Sequence, residues 1–81
     1  MNYEIGKPYL IEYPSNTKIS ILIDKDPTDL IFYDGTCFKL SNKFIEQKNI
    51  KIYEYNEENY NEKYSNEFIR LLLDIKKGGG E

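Results

Sequence analysis

Apolar and polar residues alternate over much of the first two thirds of the chain, which is the pattern of half-buried β-strands. In residues 17–23 the pattern places Ile19, Ile21 and Ile23 on one face of a strand and the polar residues Lys18 and Ser20 on the other. We therefore expect Lys18 and Ser20 on the solvent face of a strand. Similar runs, rich in β-branched and aromatic residues, predict further strands at residues 8–13, 30–33, 36–40 and 49–55.

Turn-forming residues between these runs predict antiparallel hairpins. Pro14, Ser15 and Asn16 separate the first two runs, and such a short connection joins antiparallel strands. Asp34-Gly35 separates the third run from the fourth. This dipeptide is typical of a two-residue type I′ turn, in which both central residues have positive φ. The strands are therefore expected to form an antiparallel sheet.

The hydrophobic period changes to 3.6 residues in the last third of the chain, which predicts one amphipathic α-helix. Ile69 and Leu73 widen its apolar stripe beyond what one sheet face requires. Two interpretations stay open: a deep groove over a curled sheet, or a second contact with a partner helix or with another copy of the chain. The stripe itself consists of Tyr60, Tyr64, Phe68, Leu71, Leu72 and Ile75.

Residues at both ends of this segment have the chemistry of helix termini. Asn56 is the expected N-cap. Glu57 and Glu58 would then lie in the first turn, where the positive end of the helix dipole favours carboxylates. Gly78 follows two lysines and is expected to end the helix.

A short helix is predicted at residues 41–47, with Ser41 as N-cap and with Phe44 and Ile45 turned inward. The whole pattern predicts an α+β fold, a small antiparallel sheet or roll of about five strands with one C-terminal amphipathic helix packed on it. Residues 1–77 are expected to form a single domain, and residues 78–81 a flexible glycine-rich tail.

The chain is short and poor in groups that catalyse reactions or hold metal ions. Its 81 residues allow one domain at most, and a core of this size gains little net stability, so self-association would help. A single cysteine, Cys37, excludes a disulfide within the chain. The absence of histidine removes the usual zinc ligands and the imidazole base of nucleophilic catalysis. We therefore predict that the protein is not an enzyme and uses no cofactor and no metal.

Negative charge and tyrosines concentrate where the last strand meets the helix. Residues 54–67 contain five glutamates and one lysine, while the whole chain has a formal net charge of −3. An acidic helical face is often merely solvated. Carboxylates interleaved with tyrosines also suit a basic partner surface, because tyrosine is enriched at protein interfaces. The candidate partner-binding residues are Tyr53, Glu54, Tyr55, Glu57, Glu58 and Glu62.

Residue usage indicates an AT-rich gene, such as those of some viruses and mobile elements, because alanine and valine are absent and isoleucine, lysine, asparagine and tyrosine are abundant. We expect a viral or mobile-element protein that binds and inhibits a host protein. An anti-CRISPR or other anti-defence inhibitor is one example, because carboxylates spaced like phosphates could occupy the cationic channel of a nucleic-acid-handling complex.

Two other functions are compatible with the sequence. The first is a homo-oligomeric structural or assembly protein of a virus. The second is a nucleic-acid-binding accessory protein that stacks bases on a row formed by Lys51, Tyr53 and Tyr55. Direct nucleic-acid binding is disfavoured because the chain has a pI near 5.0 and no basic stripe. No apolar run reaches the length of a membrane span or signal peptide, so a cytoplasmic location is expected, in the host cell if the protein is viral.

Overall fold

A five-stranded antiparallel sheet forms the centre of the protein, with strands in the order β4-β3-β2-β1-β5. A computed structural model describes residues 3–78. The predicted α+β class is confirmed, since one C-terminal helix packs against this sheet. The elements are β1 (Pro8–Glu12), β2 (Thr17–Lys25), β3 (Asp29–Tyr33), β4 (Cys37–Ser41), α1 (Asn42–Gln47), β5 (Lys51–Glu54), one turn of 3-10 helix (Glu57–Asn59) and α2 (Glu62–Gly78).

The longest strand, β2, pairs with β1 along its first half and with β3 along its second half. Its residues 17–21 pair with β1 and its residues 21–25 pair with β3. The register shifts between Leu22 and Asp24, so Ile23 forms a bulge. Because a bulge bends a strand and increases its twist, the sheet curves at this point. The connection through α1 then carries the chain from β4 to the opposite edge, where β5 pairs with β1.

Both faces of the sheet bury apolar side chains. On one face Leu10, Ile19 and Ile21 pack against Leu71 of α2. Ile45 of α1 contributes to the other face. Burial on both sides explains how so short a chain obtains a core. The second face contains Tyr9, Ile11, Leu22, Leu30, Phe32, Leu40, Ile50 and Ile52.

The prediction that Ser20 faces solvent is wrong, whereas Lys18 is exposed as expected. Ser20 is completely buried, and its Oγ has no hydrogen-bond partner among the described residues. Alternation of polar and apolar residues distinguishes the two faces of a strand but does not say whether both are covered. In this sheet both faces bury side chains, and Ser20 is fully enclosed.

The hairpin predicted at Asp34-Gly35 is confirmed, but its turn is not a two-residue type I′ turn. Tyr33 pairs with Cys37, which leaves a loop of the three residues 34–36. Among non-glycine residues in the described part of the chain, positive φ occurs at Asn49 alone, so Asp34 lacks the conformation that type I′ needs. Gly35 takes the positive φ, at 118°. A three-residue loop needs only one such residue.

The short helix α1 begins as predicted, because the Phe44 N–H donates to Ser41 Oγ at 3.1 Å. Ile45 packs against the core, as predicted. The inward orientation predicted for Phe44 is wrong, since 42% of this residue is exposed. Neighbouring positions on a helix point about 100° apart. A helix that turns Ile45 towards the sheet therefore leaves Phe44 at the margin.

The main helix, α2, begins at Glu62 and not directly after Asn56 as predicted. Asn61 is its cap, since Asn61 Oδ1 accepts a hydrogen bond from the Lys63 N–H at 2.9 Å. Asn56 caps the 3-10 turn instead. Of the tail predicted at residues 78–81, residues 79–81 lie outside the described residues, and Gly78 is the last residue of α2.

The later start removes Tyr60 from the predicted stripe, and 65% of Tyr60 is exposed. Leu72 lies at the edge of the stripe and is 43% exposed. The remaining members of the stripe pack against the sheet as predicted, so the orientation of the helix follows from its period. These members are Tyr64, Phe68, Leu71 and Ile75.

Candidate protein-binding surface

The chain between β5 and α2 carries most of the sequence-predicted binding residues. We name residues 54–62 the acidic segment. Glu57, Glu58 and Glu62 are exposed, and Glu54 is half-buried at the end of β5. The structure therefore brings the four predicted glutamates into one continuous stretch of surface chain.

Two asparagine side chains hold the backbone of the acidic segment. Asn56 Oδ1 accepts from the Glu58 N–H at 2.9 Å, and Asn59 Oδ1 accepts from the Asn56 N–H at 2.8 Å. Asn59 Nδ2 also donates to the Glu54 carbonyl at 3.0 Å. These side-chain hydrogen bonds form a capping box at the 3-10 turn, so Asn56 marks the start of this turn and not the start of α2.

Tyr55 ties the acidic segment to the start of α2. Its hydroxyl donates to the Asn61 carbonyl at 2.9 Å and accepts from the Asn61 N–H at 3.2 Å. The same hydroxyl lies within hydrogen-bond distance of Ser65 Oγ. The Tyr55 ring meets the Tyr64 ring edge to face, with centroids 6.2 Å apart. Tyr55 therefore fixes the shape of the acidic segment by joining its first residues to Asn61.

Tyr53 is also half-buried and packs beside α2. Interaction with the nearby Glu12 carboxylate raises the pKa of the Tyr53 phenol, and partial desolvation adds to this effect. The row of Lys51, Tyr53 and Tyr55 is therefore not an open platform, because α2 packs against both tyrosines. This placement weakens the base-stacking alternative.

The charge of the acidic segment is not neutralised within the described part of the protein. Ion pairs in residues 3–78 join Glu4 to Lys7 and Glu67 to Arg70. Glu57, Glu58 and Glu62 take part in neither pair, so their carboxylates face solvent. Unpaired surface charges of one sign create a local potential that attracts a surface of opposite charge.

Tyr60 is a surface residue that the sequence did not assign to the binding site. It follows the 3-10 turn in an extended conformation and stands between Glu58 and Glu62 in the chain. Large aromatic side chains are common anchors of protein interfaces, and Tyr60 is an exposed ring surrounded in sequence by carboxylates. The flanking residues Asn59 and Asn61 were a signal for this placement, because asparagine favours caps and turns over helix interiors.

Other kinds of site receive no support from the described residues. Within residues 3–78, no three side chains of histidine, cysteine, aspartate or glutamate lie close enough together to hold a metal ion. No helix in that range is both long and apolar enough to cross a membrane. Comparison of the chain with protein-family models, curated proteins and solved structures found no match.

Proposed function

We propose that this chain is a non-enzymatic protein that binds a basic surface of a host protein through the acidic segment and thereby inhibits it. One observation carries the proposal: three exposed, unpaired glutamates and an exposed tyrosine lie on a segment that is already held in shape by hydrogen bonds. A preordered segment loses little conformational entropy on binding, so more of its interaction energy appears as affinity.

The charge of the acidic segment determines the kind of partner. Glu57, Glu58 and Glu62 attract lysine and arginine side chains, and Tyr60 adds apolar contact area with one polar group. Surfaces that bind the nucleic-acid backbone are rich in such side chains. The partner is therefore a nucleic-acid-handling protein, and the glutamates take the place of phosphates in its groove. The residue usage of an AT-rich gene is consistent with a viral or mobile-element inhibitor of this kind.

Tyr53 and Tyr55 have a supporting part in this proposal. Their contacts with Asn61 and with the α2 side of the sheet favour a role in holding the acidic segment in shape over direct contact with the partner. Glu54 is half-buried at the start of the segment and adds to its negative potential. The residues expected to contact the partner directly are Tyr60, Glu57, Glu58 and Glu62.

The test is capture of partners from a host lysate by the wild type and by a Glu57→Lys/Glu58→Lys variant. The variant changes the net charge from −3 to +1, since each substitution adds two charges. We expect it to lose the partners that the wild type captures. An excess of duplex DNA or RNA should release these partners from the wild type, because both ligands compete for one basic groove.

The matched control is Asp24→Lys/Glu46→Lys, which makes the same change in net charge at exposed positions outside the acidic segment. This control should capture the same partners as the wild type. Capture that survives charge reversal at residues 57 and 58, or that fails equally in the control, would contradict the proposal.

A further inference from the structure

Helix α2 presents a second apolar surface, on the side that points away from the sheet. Ile69 is 55% exposed, Leu72 is 43% exposed and Leu73 is 58% exposed. We name these three residues the outer strip. Their spacing of three and four residues places them on one side of the helix. The helix does not need them to attach to the sheet, because Tyr64, Phe68, Leu71 and Ile75 make that contact.

Charged residues continue the outer strip in both directions. Glu62 stands seven residues before Ile69, and Lys76 stands seven residues after it. Seven residues are close to two helical turns, so all three side chains lie along the same side of α2. Glu62 and Lys76 are both exposed, and neither takes part in the ion pairs found within residues 3–78. The surface is therefore acidic at one end, apolar in the middle and basic at the other end.

Such a surface is complementary to itself when one copy is reversed. In an antiparallel pair centred near Ile69, Glu62 of each copy approaches Lys76 of the other copy, and the two apolar strips overlap around Ile69. Antiparallel helices also bring opposite ends of their dipoles together. A parallel pair would place glutamate beside glutamate and lysine beside lysine. A two-fold symmetric contact of this kind is the commonest arrangement of homodimers.

The structure points to a second copy of this chain as the occupant of the outer strip, and we propose an antiparallel α2–α2 homodimer. The proposal shares Glu62 with the acidic segment but does not require a partner bound to that segment. Each strip is about half exposed before contact, and the paired helices bury only a narrow surface, so the contact is weak by the standards of stable dimers. We expect a dimer that forms between about 10 µM and about 1 mM.

Sedimentation equilibrium over this concentration range measures the association. The wild type should rise from the mass of one chain towards the mass of two. An Ile69→Ser/Leu73→Ser variant should remain monomeric, with the dimer dissociation constant raised at least about tenfold, because the apolar contact is lost on both copies. Both residues are more than half exposed, so the variant should keep its fold, and far-ultraviolet circular dichroism checks this.

The Glu57→Lys/Glu58→Lys variant separates the dimer from the function proposed above. These residues lie outside α2, so this variant should dimerise like the wild type. A wild type that stays monomeric throughout the range would contradict the proposed dimer. A different molecule would then be the occupant of the outer strip. Equal association of the Ile69→Ser/Leu73→Ser variant and the wild type would also overturn it.

A charge exchange tests the antiparallel orientation. Glu62→Lys alone and Lys76→Glu alone should each weaken association, because each places like charges together at both ends of the dimer. The double variant Glu62→Lys/Lys76→Glu restores opposite charges across the contact and should recover association. Failure of the double variant to associate better than both single variants would contradict the antiparallel arrangement.

Discussion

At the scale of single residues, short polar side chains determine where elements begin and end by accepting hydrogen bonds from nearby backbone amides. Asp26 shows this in the loop between β2 and β3. Its Oδ1 accepts from the N–H groups of Thr28 and Asp29, both at 2.9 Å, and from Thr28 Oγ1 at 3.1 Å. These hydrogen bonds favour the charged carboxylate, so they lower the pKa of Asp26 below its ordinary value.

The lowered pKa makes the contribution of Asp26 to stability depend on pH. Because the folded-state pKa lies below the unfolded value of about 3.9, the contribution is complete above that value and is lost as pH falls through the folded pKa. Asp26→Asn keeps a side-chain oxygen acceptor but cannot titrate. Its stability relative to the wild type should therefore rise as pH falls from about 5 to about 2.

Urea denaturation of both proteins at each pH measures this difference. The two proteins share every other titrating group, so the difference between their unfolding free energies isolates Asp26. A difference that stays constant over the whole range would show that the loop hydrogen bonds do not favour the carboxylate in solution.

Capping side chains explain why the start of α1 could be predicted from the sequence and the start of α2 could not. Ser41 was identified as a cap because it is the obvious capping side chain at the start of its short helix. Asn56, Asn59 and Asn61 all have capping side chains, and local sequence does not rank them. The Tyr55 hydroxyl binds the backbone carbonyl and N–H of Asn61, so a side chain outside α2 contributes to fixing the start of this helix.

At the scale of elements, α2 is a helix with two apolar sides that have different roles. The inner side is continuous with the core through Leu71, which is only 1% exposed. The outer strip is open to solvent in one copy of the chain. The 3.6-residue period of apolar residues predicts most of the side chains that face the sheet. The stripe is wider than one sheet face, however, so the sequence does not determine which of its apolar residues stay exposed. That depends on the angle at which α2 lies across β2, its main contact in the sheet.

Two leucines two positions apart test this division. Leu71→Ala should lower the free energy of unfolding by about 2–5 kcal/mol, because it removes a buried side chain and leaves a cavity. Leu73→Ala should change it by less than about 0.5 kcal/mol, since Leu73 is exposed. Urea denaturation at a concentration below that of the proposed dimer measures both. Similar losses for the two variants would show that α2 is rotated from the orientation described.

The candidate site shows the same limit of prediction at the element scale. Clustering of charge in the sequence located the glutamates of the acidic segment, and Glu57, Glu58 and Glu62 are indeed exposed. Tyr53 and Tyr55 lie under α2 because this helix packs on their face of the sheet, which no local pattern reveals. Their direct contact with a partner stays a prediction from sequence, and their contacts in the structure favour a supporting role.

At the scale of the whole molecule, the proposed binding surfaces lie along one stretch of chain. β5 pairs with β1 at the sheet edge opposite β4, and the acidic segment and α2 follow from there. Glu62 belongs to the acidic segment and also begins the surface that continues into the outer strip. The sheet supports both surfaces, and Tyr33 of β3 also contacts α2, since its hydroxyl donates to the Asp74 carboxylate at 3.2 Å.

Carboxylate footprinting most directly tests the proposal that the acidic segment contacts the partner. The protein would be labelled with a carbodiimide and a small amine, alone and with its captured partner, and the modified residues would be identified by mass spectrometry. We predict that the partner protects Glu57 and Glu58 from labelling and leaves Glu46 of α1 as reactive as before. Unchanged labelling of Glu57 and Glu58 in the complex, with protection at Glu46 instead, would contradict the proposed binding surface.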